Sequence, residues 1–214
     1  MASLKRAEAE AFYGRLAAAI PEPKGELAYI NPYTLLVAVV LSAQATDTGV
    51  NKATKPLFAV ADTPAKMVAL GEARLKRYIR AIGLYNTKAR NVAALSRILL
   101  DKHGGRVPET REELEALPGV GRKTANVVLN VAFAKPTIAV DTHIFRVCNR
   151  TGLAPGKTPA AVEKGLEAIT PESRKRHAHH WLILHGRYVC KARKPLCASC
   201  VVDAICRYGA KTAA

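Results

Sequence analysis

Four of the five cysteines of this chain lie close together near its C-terminus. Cys190, Cys197, Cys200 and Cys206 follow the spacing C-x6-C-x2-C-x5-C, and only Cys148 stands apart. Disulfides are rare in reducing compartments, so a thiol cluster of this kind is typical of a metal site. Four thiolates suit either zinc or an iron–sulfur cluster, and the spacing does not decide between the two.

A possible anion site lies at residues 117–124, Leu-Pro-Gly-Val-Gly-Arg-Lys-Thr. Pro118 ends one helix, and Gly119 and Gly121 let a ligand approach the backbone without meeting a Cβ atom. The next helix presents N–H groups and the positive end of its dipole, and Arg122 adds charge. We therefore expect a phosphate to bind here, and the alternative is an ordinary turn between helices in which glycine only relieves strain.

Lys123 permits two interpretations, a phosphate contact or a nucleophile. A nucleophilic amine must first lose its proton. A helix N-terminus, partial burial and the neighbouring Arg122 would all disfavour the ammonium form. Helical periodicity alone slightly favours the phosphate contact.

Asp141 lies in the segment Val-Asp-Thr-His at residues 140–143, where an extended stretch meets a helix. Asp is among the best N-cap residues, so the expected role of Asp141 is to cap this helix. A capping side chain at the mouth of a loop can also face a cleft.

The charge balance indicates a polyanionic partner. Lys and Arg number 33 against 17 Asp and Glu, which gives a net charge of +16. Repulsion among so many positive charges destabilises a compact chain unless a bound polyanion neutralises them. This favours nucleic acid as the partner. The longest apolar run, 35–41, is far shorter than the roughly 20 residues that cross a membrane. Residues 1–10 show no export signal, so we expect a cytoplasmic, nucleoid-associated protein.

Helical periodicity runs through the whole chain, and Pro and Gly mark where helices begin and end. Only residues 137–140 look extended, and four residues do not make a sheet, so the predicted class is all-α. Thr110 and Glu113 are predicted to form a capping box. The predicted helices cover residues 4–20, from 32 onward, 48–60, 64–70, 72–82, 87–103, 110–117, 122–133, 142–150, 159–169 and 172–188.

The motifs together resemble the endonuclease III family of the helix-hairpin-helix DNA glycosylase superfamily. LSAQATD at 41–47, LPGVGRKTAN at 117–126, VDTH at 140–143 and the four-cysteine tail occur in the family's order. The resemblance implies base-excision repair by a bifunctional DNA glycosylase and abasic-site β-lyase that removes oxidised pyrimidines such as thymine glycol from duplex DNA.

The fold implied by the resemblance has two helical domains with a DNA-binding cleft between them. One is a six-helix barrel of about residues 25–134 that contains the helix-hairpin-helix. The other joins residues 1–24 to residues 135–214 and carries the four-cysteine loop. We expect a monomer whose partner is double-stranded DNA with damaged pyrimidines or abasic sites, and no membrane.

The resemblance also implies roles for single residues. Lys123 matches the nucleophile that forms a Schiff base, Asp141 the catalytic aspartate, and the four cysteines the ligands of a [4Fe-4S] cluster. Gln44 and Leu84 match residues that enter the duplex where the damaged base leaves. We predict DNA contacts at Gln44, Leu84, Gly119, Val120, Gly121, Arg122, His143, Lys191, Arg193 and Lys194.

Two other functions fit part of this pattern. A related glycosylase directed at adenine or at mismatches often differs at the position of Lys123, so this lysine argues against the monofunctional members. A helix-hairpin-helix module without catalytic activity would bind DNA and never nick abasic sites.

Overall fold

The computed structural model describes residues 3–212, and within this range it contains helices and no strand. The predicted all-α class is confirmed. The helices are α1 (Arg6–Ala19), α2 (Pro32–Ser42), α3 (Asp47–Val60), α4 (Pro64–Leu70), α5 (Glu72–Ile79), α6 (Tyr85–His103), α7 (Arg111–Glu115), α8 (Arg122–Phe133), α9 (Thr142–Thr151), α10 (Pro159–Ile169) and α11 (Glu172–Tyr188).

The described chain divides into two compact units, residues 26–134 and residues 3–25 with 135–212. Each unit has its own cluster of buried apolar side chains. Gly25, which the prediction places in the barrel domain, groups with residues 135–212. Residues 1–2 and 213–214, which the prediction assigns to the second domain, lie outside the described residues.

Unit 26–134 is built around α2. Residues 33–41 of this helix are all buried, as expected for a helix that is hydrophobic on every side. Neighbouring helices α3, α6 and α8 pack against it, and Tyr33 shares a 2.6 Å hydrogen bond with Ser96 of α6. The unit has seven helical segments, one of only five residues, where the resemblance implies six.

The other unit packs α1, α9, α10 and α11 together. The indole of Trp181 donates to the carbonyl of Ile20 at 2.8 Å, which ties α11 to the end of α1. Tyr13 of α1 is fully buried and its hydroxyl lies 2.9 Å from that of Thr170. These bonds hold α1 against its neighbours, and α11 in turn packs against α9, which carries Asp141 at its N-terminus.

The structure differs from the predicted helices most clearly at the end of α5, the start of α6 and the N-cap of α7, and other ends move by one or two residues. The last residues of the predicted 72–82 helix form a turn, since α5 ends at Ile79. α6 begins at Tyr85, two residues earlier than predicted, because Leu84 takes the left-handed conformation at its N-cap. The Thr110 hydroxyl oxygen accepts from the Glu113 N–H, which is one of the two bonds of the predicted capping box. The Glu113 carboxylate accepts from the Thr110 hydroxyl and not from the Thr110 backbone N–H, so the second bond is missing. No helix in residues 3–212 is long and apolar enough to cross a membrane.

Candidate active site

The hairpin between α7 and α8 is a tight turn at residues 117–120. The Val120 N–H donates to the Leu117 carbonyl at 3.1 Å, with Pro118 and Gly119 at the central positions. Gly119 has φ +78°, the conformation that a type II turn requires at its third residue. The sequence order Pro-Gly therefore encodes the turn directly.

The two glycines of the hairpin have different surroundings. A Cβ atom on Gly119 would lie 2.7 Å from Nδ2 of Asn91, so Gly119 is packed against α6. No described atom lies within 4 Å of the Cβ position of Gly121. Gly121 is the N-cap of α8 and has no side chain that could accept from its first N–H groups. Only Gly121 therefore matches the predicted open approach to a ligand.

Lys123 is the second residue of α8 and is exposed. The partial burial assumed in the sequence argument is therefore absent in the isolated protein. Arg122 precedes it at the start of the helix, and both groups stand at the positive end of the helix dipole. Arg111 holds α7 against α8 through a 3.0 Å bond from its Nε to Oδ1 of Asn126.

Asp141 caps α9 through one of its two carboxylate oxygens. Oδ1 accepts from the N–H groups of His143 at 2.9 Å and Ile144 at 2.8 Å. Within residues 3–212 no hydrogen bond is made to Oδ2, and the side chain is half-buried. The two expected roles are compatible, because one oxygen fixes the side chain while the other can act on a ligand.

The N-terminal part of α9 is held against α11 by a contact that leaves no room for a side chain. A Cβ atom on Gly186 would lie 2.8 Å from the Cβ and 3.1 Å from the carbonyl oxygen of His143. Arg146, one turn into α9, donates to the carbonyls of Gly186 at 2.7 Å and Cys190 at 2.9 Å. Its Nη2 also lies 3.2 Å from Nδ1 of His143.

Sequence reasoning did not identify Arg146. Its acceptors are backbone carbonyls about forty residues away along the chain. Every residue has a backbone carbonyl, so the sequence does not mark these two as partners. An arginine one turn after a capping aspartate was the available signal, and it is not specific.

Gln44 and Leu84 share an unusual backbone conformation. Their φ angles are +55° and +59°, in the left-handed region that residues other than glycine rarely adopt. Both side chains are exposed, Leu84 by 61%. A Cβ atom on Gly83 would lie 3.9 Å from the Gln44 carbonyl oxygen, so the two turns are neighbours in unit 26–134. Exposure rules out a core role for Leu84.

The five cysteines form no disulfide with one another. Cys190 is buried, and Cys197, Cys200 and Cys206 are half-buried. The Cys200 N–H donates to the Cys197 carbonyl at 3.1 Å, and the Cys206 N–H to the Val202 carbonyl at 3.0 Å, so short turns carry these three cysteines.

The thiols influence one another electrostatically. Burial raises the pKa of Cys200 and of Cys206, and the nearby Cys190 thiol raises both further. A coordinated cation reverses this effect because it stabilises thiolates. In residues 3–212 no three His, Cys, Asp or Glu side chains converge closely enough to hold a single ion. A cluster of several irons does not require its ligands to converge on one point.

The loop between Cys190 and Cys197 exposes three basic side chains. Lys191, Arg193 and Lys194 are all exposed. Lys194 has φ +50°, so it joins Gln44 and Leu84 as a proposed DNA contact, other than glycine, that lies in the left-handed region. Strained residues of this kind cluster at functional sites, where surrounding structure holds them in place.

The chain is similar to known DNA repair proteins over most of its length. Residues 37–172 match the family described as HhH-GPD superfamily base excision DNA repair protein. Endonuclease III of Escherichia coli (strain K12) is 61% identical over 191 residues, which cover 89% of this chain and 90% of that protein. Endonuclease III of Treponema pallidum (strain Nichols) is 58% identical over 196 residues, which cover 92% and 93%.

Solved structures give the same result for the fold. A trapped Endonuclease III-DNA covalent intermediate has a TM-score of 0.89 and 47% sequence identity, and the match covers 95% of this chain and 96% of that chain. A thermostable thymine-DNA glycosylase has a TM-score of 0.83 at 25% identity, with 94% and 96% covered.

Proposed function

This chain belongs to the endonuclease III family of the HhH-GPD superfamily of base excision DNA repair proteins, and we propose that Lys123 and Asp141 carry out its chemistry. Its function is base-excision repair as a DNA glycosylase and abasic-site lyase. The proposed substrates are oxidised pyrimidines such as thymine glycol, and abasic sites, in duplex DNA. The two catalytic residues come from different units of the chain.

The proposed nucleophile is the amine of Lys123. Its Nζ forms a bond to C1′ of the sugar as the glycosidic bond breaks, and the departing base keeps the electron pair and takes up a proton. The amine gives up its two protons, one to the departing base and one to the ring oxygen O4′ as the sugar ring opens, and a Schiff base remains. The Schiff base acidifies the C2′ proton, and removal of that proton expels the 3′ phosphate. A water nucleophile would not nick the strand in this way.

Asp141 is proposed to act through Oδ2. Its carboxylate stabilises positive charge that develops on the sugar as the base departs, and it assists proton transfer. The observation that supports this role is the capping of α9 through Oδ1 alone. Capping fixes the rotamer, so the free oxygen is positioned before the substrate arrives.

Phosphate contacts are proposed for two regions. In the hairpin, Gly121 leaves open space beside the first N–H groups of α8, and Arg122 supplies a charge. Next to the cysteines, Lys191, Arg193 and Lys194 are exposed and would neutralise further phosphates. We propose further DNA contacts at the hairpin residues Gly119 and Val120 and at His143 in α9.

Gln44 and Leu84 are proposed to fill the gap left in the duplex by an extruded nucleotide. An enzyme that attacks C1′ must take the nucleotide out of the stack, which costs a few kcal/mol. An apolar wedge offsets part of that cost. Support comes from the exposure of both side chains and from their neighbouring left-handed turns.

The proposed cofactor is a [4Fe-4S] cluster held by Cys190, Cys197, Cys200 and Cys206. The burial of Cys190, the partial burial of the other three cysteines and the short turns that carry those three fit a shared polynuclear group. When bound, the cluster supplies iron–thiolate bonds that cross-link the turns of residues 190–206. The basic residues Lys191, Arg193 and Lys194 lie between the first two of these cysteines, so the shape of their loop depends on the same four cysteines.

The test is incubation of the purified protein with duplexes that carry one thymine glycol or one abasic site. The wild type is expected to cleave both and to form a covalent adduct when borohydride is added. Lys123→Gln removes the amine and is expected to lose cleavage and trapping but to retain binding. Arg122→Gln is the matched control, which should weaken binding and still be trapped.

Each alternative has its own outcome in this assay. Trapping that survives in Lys123→Gln means that another amine is the nucleophile. Binding of abasic duplex without any nicking identifies a non-catalytic module. Excision of adenine or of mismatched bases in place of thymine glycol contradicts the proposed substrate class.

A further inference from the structure

Arg150 contacts the beginning of the four-cysteine segment. It lies in the last turn of α9, where Nη1 donates to the Lys191 carbonyl at 2.6 Å and Nη2 to the Ala192 carbonyl at 2.8 Å. Nη1 is also 3.8 Å from the sulfur of Cys190, within hydrogen-bonding range for a thiol acceptor. One planar guanidinium thus holds the first cysteine and the two residues after it.

The same guanidinium contacts the other end of the segment. Its central carbon lies 4.8 Å from the centre of the Tyr208 ring, a cation–π contact. The next residue of α9, Thr151, accepts from the Arg207 N–H at 3.1 Å. Cys190 and Cys206 are the outermost of the four cysteines, so the last turn of α9 joins both ends of the loop that they define.

Arginine is suited to this position. Lysine carries the same charge but has no planar fork that can serve two carbonyls and a ring face together. An N–H donor and a positive charge beside a ligating sulfur stabilise the extra negative charge that a cluster gains on reduction. The contacts also keep the first cysteine from swinging away from the other three.

We propose that Arg150 is a positioning residue that clasps the two ends of the four-cysteine segment and donates a hydrogen bond to the Cys190 sulfur. The clasp slows the loss of iron and favours the reduced form of the cluster. This inference rests on the cluster assignment made under the proposed function. Arg150 lies outside the cysteine motif and yet controls how fast the cluster loses iron.

The experiment compares four variants with the wild-type holoenzyme. Arg150→Met removes the charge and the fork, and Arg150→Lys keeps the charge alone. Tyr208→Leu opens the clasp from its other side without touching Arg150. Arg15→Lys is the matched control, since Arg15 also donates to a carbonyl of the loop, that of Val201 at 3.1 Å, but is exposed there.

The measurements are iron content, the rate of bleaching of visible absorption with a chelator, and the cluster's reduction potential. We expect Arg150→Met to lose iron about tenfold faster than the wild type, the low end of typical effects of residues that support metal ligands. Its reduction potential should become more negative. Arg150→Lys and Tyr208→Leu should fall between Arg150→Met and the wild type, and Arg15→Lys should match the wild type.

Equal iron loss and equal potential in Arg150→Met and Arg15→Lys would overturn the clasp. If Arg150→Met does not fold, Arg150→Lys and Tyr208→Leu decide the question by the same two measurements. A wild-type protein that binds no iron contradicts the cluster assignment. The clasp is then judged by thiol alkylation, where Cys190 must react faster in Arg150→Lys than in the wild type, and equal rates overturn it.

Discussion

Two helix N-termini, one in each unit, present the two proposed catalytic residues and are constructed in opposite ways. α8 begins at an uncapped glycine, and Lys123 stands exposed on its first turn. α9 begins at Asp141, whose own carboxylate caps the helix. Behind α9, Arg146 and the close contact with Gly186 fix the helix in place.

The difference follows from the reach of the two side chains. A lysine amine sits at the end of a flexible four-carbon stem and can find its target after DNA binds. An aspartate oxygen lies two bonds from Cβ, so its position is set by the backbone. The nucleophile therefore needs open space, whereas the carboxylate needs a rigid support that exists before the substrate arrives.

The largest expected effect separates capping from chemistry at Asp141. Asn and Ser are N-cap residues as good as Asp, so Asp141→Asn and Asp141→Ser should unfold at nearly the wild-type temperature. Both lack the carboxylate, and we expect base excision to fall by about 10³-fold, or about 4 kcal/mol in the barrier. Single-turnover excision of thymine glycol and thermal melting measure the two roles. Activity that persists in both variants reduces Asp141 to a cap.

The second prediction concerns the unequal glycines of the hairpin. Gly119→Ala forces φ +78° on a residue with a Cβ atom and drives that atom into Asn91, so we expect a loss of about 3 kcal/mol of unfolding free energy. Gly121→Ala has open space and should change stability by less than about 0.5 kcal/mol. It should nevertheless weaken DNA binding, because its Cβ occupies the space proposed for a phosphate.

A third glycine tests this reading of Gly119. Gly104 also has positive φ, at +58°, but its Cβ position is clear of described atoms within 4 Å. Gly104→Ala should therefore cost about 1 kcal/mol, the backbone strain alone. Denaturant titration of the three variants measures the order. Equal losses at Gly119 and Gly104 would show that the contact with Asn91 is not important.

Sequence reasoning succeeded where neighbouring residues encode the structure. It placed the bounds of α4, α8, α10 and α11 correctly, because Pro, Gly and N-cap residues mark them locally. It gave Gly119 and Gly121 the same role, since the contact with Asn91 joins residues far apart in the chain. The arginine contacts of α9 were missed for the same reason. The start of α6 was misplaced because Leu84, its N-cap residue, has no side chain that can cap a helix.

The third prediction tests the rigid support behind Asp141. Replacing glycine by alanine in a helix interior normally raises the free energy of unfolding. Gly14 of α1 has free space around its Cβ position, so Gly14→Ala should stabilise the protein by about 0.4–1 kcal/mol. Gly186→Ala should instead destabilise it by about 2 kcal/mol, because its Cβ would overlap His143. The displaced start of α9 should lower kcat for excision more than it raises KM. If Gly186→Ala behaves like Gly14→Ala, α9 does not need that contact.

The smallest expected effect on stability belongs to the left-handed residues. Leu84→Ala keeps the backbone strain and removes the wedge, whereas Leu84→Gly removes both. The glycine variant should therefore be more stable than the alanine variant by about 1 kcal/mol. Ala134 has φ +53° at the end of α8 and no proposed DNA role, so Ala134→Gly should gain as much stability and keep full activity.

Activity then shows what the strain at Leu84 is for. Both Leu84 variants, and the double variant Gln44→Ala with Leu84→Ala most of all, should lose most thymine glycol excision in duplex DNA, where a base must leave an intact stack. They should keep much of their lyase activity on a single-stranded abasic oligonucleotide, because no stack has to be broken there. Equal losses on the two substrates would contradict the wedge. The Ala134→Gly control ensures that a change in backbone strain is not mistaken for a change in contact with DNA.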